Sequence, residues 1–139
     1  MSSERFSGSC LCGSVTYEMT GTPRFFFHCH CRRCRKASGT GHASNIILKP
    51  EAMEWTQGED LLNSYAVPDA ERFRTVFCTT CGSPLPRVAP DLSIAVIPAG
   101  SLDSQPAISP SARIFWESRE SWSCDSGEIP TWDEYPQQP

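Results

Sequence analysis

Three groups of cysteines constrain the fold of this 139-residue chain more than any other feature. Seven of its eight cysteines fall into the segments Cys10-Leu11-Cys12-Gly13, Cys29-His30-Cys31-Arg32-Arg33-Cys34 and Cys78-Thr79-Thr80-Cys81-Gly82. The polar start lacks the apolar core of a secretory signal, and no apolar run has membrane-spanning length, so we expect a cytoplasmic protein without a membrane partner. In a reducing compartment clustered cysteines indicate metal ligands before disulfides. We therefore interpret these groups as zinc ligands.

The first and third groups together predict a closed, structural zinc site. Cys-x-x-Cys followed by glycine is typical of a zinc knuckle, because the tight turn aims both sulfurs at one point and Gly82 tolerates a positive φ. A structural zinc takes four protein ligands, of which Cys78 and Cys81 supply two. Cys10 and Cys12 supply the other two if they lie on extended chain, where residues two apart point to the same side.

The second group predicts a different kind of zinc site. Cys29, Cys31 and Cys34 provide three thiols, one fewer than a closed tetrahedron needs. Three protein ligands leave one position for water or an exogenous thiol, which is typical of a reactive zinc. Zinc also keeps a thiol ionised at neutral pH, where a free thiol is mostly protonated. We expect this second zinc site to be open and functional.

Two other interpretations of the second group stay open. One is a closed site that only holds the fold, with a fourth ligand from His28, His30, His42 or Cys124. Strand alternation would place His28 and His30 on the face opposite Cys29 and Cys31, which makes His30 a poor fourth ligand. The other is a labile site that is often empty and whose thiols pair on oxidation.

A dense positive cluster interrupts an otherwise acidic chain of net charge -4. It consists of Arg32, Arg33, Arg35 and Lys36. A local positive field offsets the charge of three thiolates and attracts an anionic ligand, so these four side chains are candidate contacts for a thiol substrate. The alternative interpretation is a solvated face of a short helix. The acidic balance argues against nucleic acid as a partner.

Short runs of β-branched and aromatic residues predict a mainly β fold of small antiparallel sheets. The expected strands are 14–18, 24–28, 42–48, 72–77, 92–97 and 113–116. One or two short helical turns are expected, at 32–38 and, after Pro50, at 51–53. We expect a single domain over 1–139, with its core in 5–122 and an acidic irregular tail over 123–139. Because the core is small, we expect bound zinc to stabilise the fold.

The cysteine groups and their neighbours resemble the glutathione-dependent formaldehyde-activating family, which includes centromere protein V. The resemblance runs through Gly-Ser-Cys-Leu-Cys-Gly-Ser-Val-Thr-Tyr at 8–17 and Cys-His-Cys-Arg-Arg-Cys-Arg-Lys-Ala-Ser-Gly at 29–39. It continues through Arg74, Phe-Cys-Thr-Thr-Cys-Gly-Ser-Pro-Leu at 77–85 and Ala-Gly-Ser-Leu-Asp at 99–103.

This resemblance implies a β-tent fold and the same division of the cysteines into a closed and an open, catalytic zinc site. It also implies that a small aldehyde, formaldehyde in the family reaction, joins the thiol of glutathione to give S-hydroxymethylglutathione, formally a carbon–sulfur lyase reaction. Members of the family often carry histidine where this chain has Arg113; if that histidine assists substrate handling, the substrate or activity of this chain differs. A non-catalytic zinc-binding interaction module is the alternative to an enzyme.

Overall fold

The computed structural model describes residues 2–123, 127 and 129–136. Ten regular elements occur in this part of the chain. They are β1 (Glu4–Ser9), β2 (Thr16–Cys29), α1 (Arg32–Ser38), β3 (Ala43–Gln57), β4 (Leu62–Ala66), β5 (Arg74–Cys78), β6 (Pro84–Leu85), β7 (Arg87–Val88), β8 (Ala95–Pro98) and β9 (Ala112–Ile114). Single 3₁₀ turns lie at Glu59–Leu61, Ala99–Ser101, Trp116–Ser118 and Ser121–Ser123.

The larger sheet is built around the long antiparallel hairpin of β2 and β3. Its strand order is β1-β2-β3-β8-β7, and all of these neighbours are antiparallel. The short strand β9 pairs with the last three residues of β2 in the parallel sense, so that Arg113 lies opposite His28. Along that edge of β2, β1 pairs with residues 16–21 and β9 with residues 27–29.

The smaller sheet consists of β4, β5 and β6 in antiparallel order. A shared cluster of buried side chains joins it to the larger sheet: Phe6, Tyr17 and Ile46 come from the larger sheet, and Val76 and Leu85 come from the smaller one. Removal of such side chains from water stabilises a fold by about 1.5–3 kcal/mol each. The two sheets therefore share one core.

The helix α1 begins and ends with strong local signals. Cys31 is its N-cap residue, and its Sγ accepts a hydrogen bond from the backbone N–H of Cys34 at 3.3 Å. Gly39 follows the helix with a φ of 73°, and its N–H donates to the Arg35 carbonyl at 2.8 Å. Glycine takes this left-handed conformation at little steric cost, so the chain turns back toward β3 at this point.

The mainly β fold of small antiparallel sheets is confirmed, as is the helix over 32–38. The helical turn expected at 51–53 is wrong: these residues lie within β3, where Ala52 and Met53 pair with Thr20 and Met19. The strands expected at 14–18 and 24–28 are parts of one strand, because Pro23 lies at a register shift and not at a turn. The parallel pairing of β9 was not expected.

The described part of the tail, residue 127 and residues 129–136, contains no helix or strand. Cys124 lies outside the described residues. A search of the described helices finds none with the length and apolar character needed to span a membrane.

Candidate metal centres and the cavity beside them

The four-cysteine set, Cys10, Cys12, Cys78 and Cys81, has its sulfur atoms within 4.8 Å of one another. The Sγ atom of Cys12 lies 3.6 Å from that of Cys10 and 3.9 Å from that of Cys78. Four soft sulfur ligands at one point suit a structural zinc, which is tetrahedral and prefers thiolates. The donor set thus fits the metal that the sequence predicts.

Two tight turns bring these four sulfurs together. Gly13 donates its N–H to the Cys10 carbonyl at 3.0 Å, and Gly82 donates to the Cys78 carbonyl at 2.7 Å. Both glycines have positive φ, 79° and 76° respectively. The expectation that Cys10 and Cys12 lie on extended chain is therefore wrong: β1 ends at Ser9, and a turn brings the two sulfurs together.

Local hydrogen bonds favour ionisation at the exposed side of this set. The Ser83 hydroxyl lies 3.2 Å from the Cys81 sulfur, and hydrogen bonds from Ser83 lower the pKa of Cys81 to about 5. Hydrogen bonds from Ser14 lower the pKa of Cys12. Burial raises the pKa of Cys10. A cation at the centre would remove the proton from the buried thiol as well.

The three-cysteine set, Cys29, Cys31 and Cys34, also has its sulfurs within 4.8 Å of one another. Cys29 is the last residue of β2, Cys31 caps the helix, and Cys34 is buried within α1. The turn from strand to helix therefore brings Cys31 close to Cys29. The expectation that Cys29 and Cys31 share one face of a strand is wrong, because Cys31 lies beyond the end of β2. Among the described residues no fourth His, Cys, Asp or Glu ligand atom joins this group.

The thiols of Cys29 and Cys34 are joined by a hydrogen bond. A hydrogen bond from Cys34 lowers the pKa of Cys29 to about 6, and the same bond together with burial raises the pKa of Cys34. The pair therefore holds one proton at neutral pH. A divalent cation at this set would replace that proton, since soft sulfur ligands bind zinc as thiolates.

A cavity of about 750 Å³ lies between the two sheets and connects both cysteine sets. Cys34 lines one part of it and Cys10 another, with Ser44 and Val96 of the larger sheet and Phe77 of the smaller sheet between them. Its volume is within the range of small-molecule binding sites.

Arg87 is the candidate site residue that the sequence did not indicate. It lines the cavity, and the charges of Cys34, Cys29 and Cys31 act to raise its pKa, whereas burial has the larger effect and lowers it. Its guanidinium donates to the Arg74 carbonyl at 2.8 Å and lies 5.0 Å from the centre of the Phe73 ring. No motif surrounds Arg87 in the sequence, so only the folded chain identifies it as the cation that faces the thiols.

The predicted basic cluster lies on the outer side of α1. Arg33 is 3.7 Å from Asp69, and Arg35 is 2.9 Å from Glu120. Arg32 and Lys36 are exposed. The cavity is lined by other residues, so the role of this cluster in substrate binding stays a prediction.

The three histidines of the chain gather behind the three-cysteine set. The ring of His42 lies 4.2 Å from that of His28 and 5.1 Å from that of His30, centre to centre. His30 is 2% exposed, and neither of its ring nitrogens has a hydrogen-bond partner among the described residues. Its ring meets Trp116 edge to face at 5.0 Å. Arg113, where the family often has histidine, lies over the same tryptophan with 5.6 Å between guanidinium carbon and ring centre.

Burial, followed by the neighbouring positive groups, lowers the pKa of His28 and of His30. These neighbours are His42 and Arg113 for both rings, and Arg119 for His30. The rings of His28 and His30 therefore favour the neutral form at physiological pH.

Comparison with known proteins agrees with this geometry. A crystal structure of a Rhodobacter sphaeroides protein superposes with a TM-score of 0.56, at 19% identity, over 77% of this chain and 98% of that one, which shows a shared fold. None of the curated proteins compared is significantly similar to the chain. The profile of the family described as glutathione-dependent formaldehyde-activating enzyme matches residues 5–118, which include both cysteine sets. The chain belongs to that family.

Proposed function

We propose that the chain is a zinc-dependent enzyme that joins a glutathione-type thiol to a small aldehyde, formally a carbon–sulfur lyase. One observation carries this proposal. The three-cysteine set offers three sulfurs and no fourth ligand among the described residues, and it lies beside a cavity of about 750 Å³. Three protein ligands are typical of catalytic zinc, whereas four are typical of structural zinc.

Zinc, when bound by Cys29, Cys31 and Cys34, supplies a positive charge that keeps a thiol ionised at neutral pH. The chain itself supplies the remaining functions. Arg87 lines the cavity with its positive charge toward the thiols and offers a bidentate partner for a substrate carboxylate. The two sheets enclose the reactants and restrict their orientation, which favours addition over reaction with water.

The basic cluster contributes to this proposal from outside the cavity wall. It consists of Arg32, Arg33, Arg35 and Lys36. Two of its members are in ion pairs and the other two are exposed, so their contribution is a positive field around the entrance. Such a field raises the association rate of an anionic thiol and weakens with added salt. A reducing, cytoplasmic location is part of the proposal, and the seven free cysteines among the described residues support it.

A non-catalytic zinc-binding interaction module is the second candidate. It is supported by exposed aromatic side chains in the C-terminal region, including Phe115 at 60% and Trp122 at 68% exposure. Exposed aromatic groups are enriched where proteins meet partners. Such a module would keep the four-cysteine set and would need no thiol ligand at the other set. Any binding of nucleic acid by this module would fall steeply with added salt, unlike thiol binding.

The metal content of three variants tests the two-site proposal. We expect two zinc ions per chain in the protein purified under reducing conditions and one in a folded Cys31→Ser variant. Cys78→Ser is expected to lose the fold, because a buried ligand of the set that joins both sheets is removed. Glutathione binding should disappear in Cys31→Ser. One zinc ion in the wild type, unchanged by Cys31→Ser, would contradict the enzyme proposal and leave the interaction module.

A further inference from the structure

His42 is the histidine that lines the cavity. It lies just before β3, on the path by which the chain returns from α1, and it is half-buried. Cys34, from α1, lines the same cavity, as does Ser44 of β3. His28 and His30, by contrast, are absent from the cavity wall. Of the three neighbouring imidazoles, only His42 therefore reaches the space where a thiol and an aldehyde would meet.

Ser44 fixes the orientation of this imidazole. Its Oγ lies 3.0 Å from the Nδ1 of His28 and 3.4 Å from the Nδ1 of His42. A hydroxyl group has a single proton, so it donates to one of these nitrogens and accepts from the other. The shorter distance favours donation to His28. His42 then holds its proton on Nδ1, and its Nε2 is left with a free lone pair.

Several titratable groups surround His42. The rings of His28, from β2, and His30, from the turn after β2, lie next to it, and both rings also feel the charge of Arg113 from β9, with Arg119 acting on His30. Cys34 and Arg87 line the same cavity. The cavity also contains Asp103, which is hydrogen-bonded to the Ser9 hydroxyl at 2.7 Å, next to Cys10 of the four-cysteine set. His42 is thus the imidazole of a cavity wall that Cys34 also lines.

We propose that His42 is a catalytic residue that carries the proton from the thiol to the aldehyde oxygen, with Ser44 and His28 as positioning residues. This inference rests on the proposed function. In the step, the S–H bond breaks and its proton moves to Nε2 of His42. The sulfur lone pair forms the S–C bond, and the carbonyl π pair becomes a lone pair on oxygen. That oxygen takes the proton back from Nε2, so the ring returns to its neutral state.

A matched pair of variants tests this assignment. His42→Gln removes the imidazole that lines the cavity. His28→Gln makes the same substitution at the neighbouring histidine, which does not line the cavity. The rate to measure is the exchange of ¹³C-formaldehyde between its hydrate and its glutathione adduct, by NMR exchange spectroscopy. At pH 7 we expect a loss of about 100-fold or more in His42→Gln, as is usual for a general acid–base, and a loss of only a few-fold in His28→Gln.

The pH dependence separates a catalytic from a structural role. Above about pH 8.5 a thiol arrives ionised, so its proton need not be removed and the deficit of His42→Gln should shrink. Added imidazole should partly restore the rate of His42→Ala. Equal losses in both variants, or a deficit that is constant with pH and insensitive to imidazole, would overturn the assignment.

Glutathione affinity keeps this test distinct from that of the proposed function. It is measured through the thiolate absorption of cobalt(II)-substituted protein, in which His42→Gln should bind within about threefold of wild type since His42 is not a sulfur ligand. Wild type that neither binds glutathione nor accelerates exchange would refute the proposed function and this inference together. Wild type that does both, with His42→Gln unimpaired in exchange, would refute the inference alone.

Discussion

Tyr17 has its side chain in the core, with 1% of its surface exposed. Its hydroxyl group is 2.7 Å from the Ser101 Oγ, which itself donates to the Pro98 carbonyl at 2.7 Å. Burial raises the pKa of Tyr17 to about 12 from 10, because the phenolate would lose its hydration. The phenol therefore contributes to the stability of the junction between β2 and the 3₁₀ turn at Ala99–Ser101 only while it keeps its proton.

This shift predicts a pH-dependent effect of Tyr17→Phe. At pH 7 the variant should be less stable by about 1 kcal/mol, since one buried hydrogen bond is lost. Above pH 10 the unfolded phenol ionises while the folded one does not, so wild type loses about 1.4 kcal/mol per pH unit until pH 12. Urea unfolding should therefore show the difference vanishing near pH 11. A constant difference from pH 7 to 11 would contradict the raised pKa.

At the scale of elements, the end of α1 positions Cys34 relative to β3. Gly39 takes a left-handed φ of 73°, and a Cβ built there meets nothing within 4 Å. A substitution is thus strained by the backbone conformation alone. Gly100 offers a matched comparison, because it also has open space around it but lacks a positive φ.

We expect Gly39→Ala to lower the free energy of unfolding by about 1 kcal/mol, the usual cost of a left-handed conformation for alanine. Gly100→Ala should change it by less than about 0.5 kcal/mol, as is usual away from special backbone conformations. Equilibrium urea unfolding measures both. An equal effect of the two substitutions would show that the conformation of Gly39 is not what limits this position.

The sequence indicates α1 well and the strands less well, for physical reasons. The helix has its signals within the helix and its two flanking residues, Cys31 and Gly39. β1, with the sequence Glu-Arg-Phe-Ser-Gly-Ser, has few strand-forming residues and becomes a strand by pairing with β2. The turn expected at 51–53 failed because pairing with β2 outweighs local preference.

The candidate site shows the same difference between features that depend on local sequence and features that depend on long-range pairing. Spacing predicts which neighbouring cysteines converge within each group, since the turns that bring their sulfurs together are local, whereas the meeting of Cys10 and Cys12 with Cys78 and Cys81 was inferred from the four ligands that a structural zinc takes. The positions of Arg87 and of the three histidines depend on the pairing of strands that are distant in sequence, such as the pairing of His28 with Ser44. No local sequence pattern contains this information. Their proximity to the cysteines could therefore be recognised only in the folded structure.

At the scale of the whole molecule, the four-cysteine set links the two sheets. Cys10 and Cys12 follow β1 of the larger sheet, and Cys78 ends β5 of the smaller one. The three-cysteine set lies within a single segment after β2 and makes no such link. Loss of a ligand should therefore have different structural consequences in the two sets.

Hydrogen exchange should reveal this difference. In Cys12→Ser we expect amide exchange in β4, β5 and β6 to accelerate by at least tenfold, because the exposed ligand that ties the smaller sheet to the first turn is removed. The strands β2 and β3 should be affected less. Cys31→Ser is the control and should leave β4 to β6 protected. Equal acceleration in both variants would indicate that the smaller sheet is held by the core alone.

The two sulfur clusters also differ in when they can exist. The three-cysteine set is complete once residues 29–34 have been synthesised, before β3 and the whole smaller sheet exist. The four-cysteine set needs Cys10 and Cys81 together, and its ring closes only after most of the polypeptide has been made. Local closure is faster than distant closure, because less chain entropy is lost beforehand. If both sets bind zinc, the order of synthesis makes the three-cysteine set available first and the long-range set later.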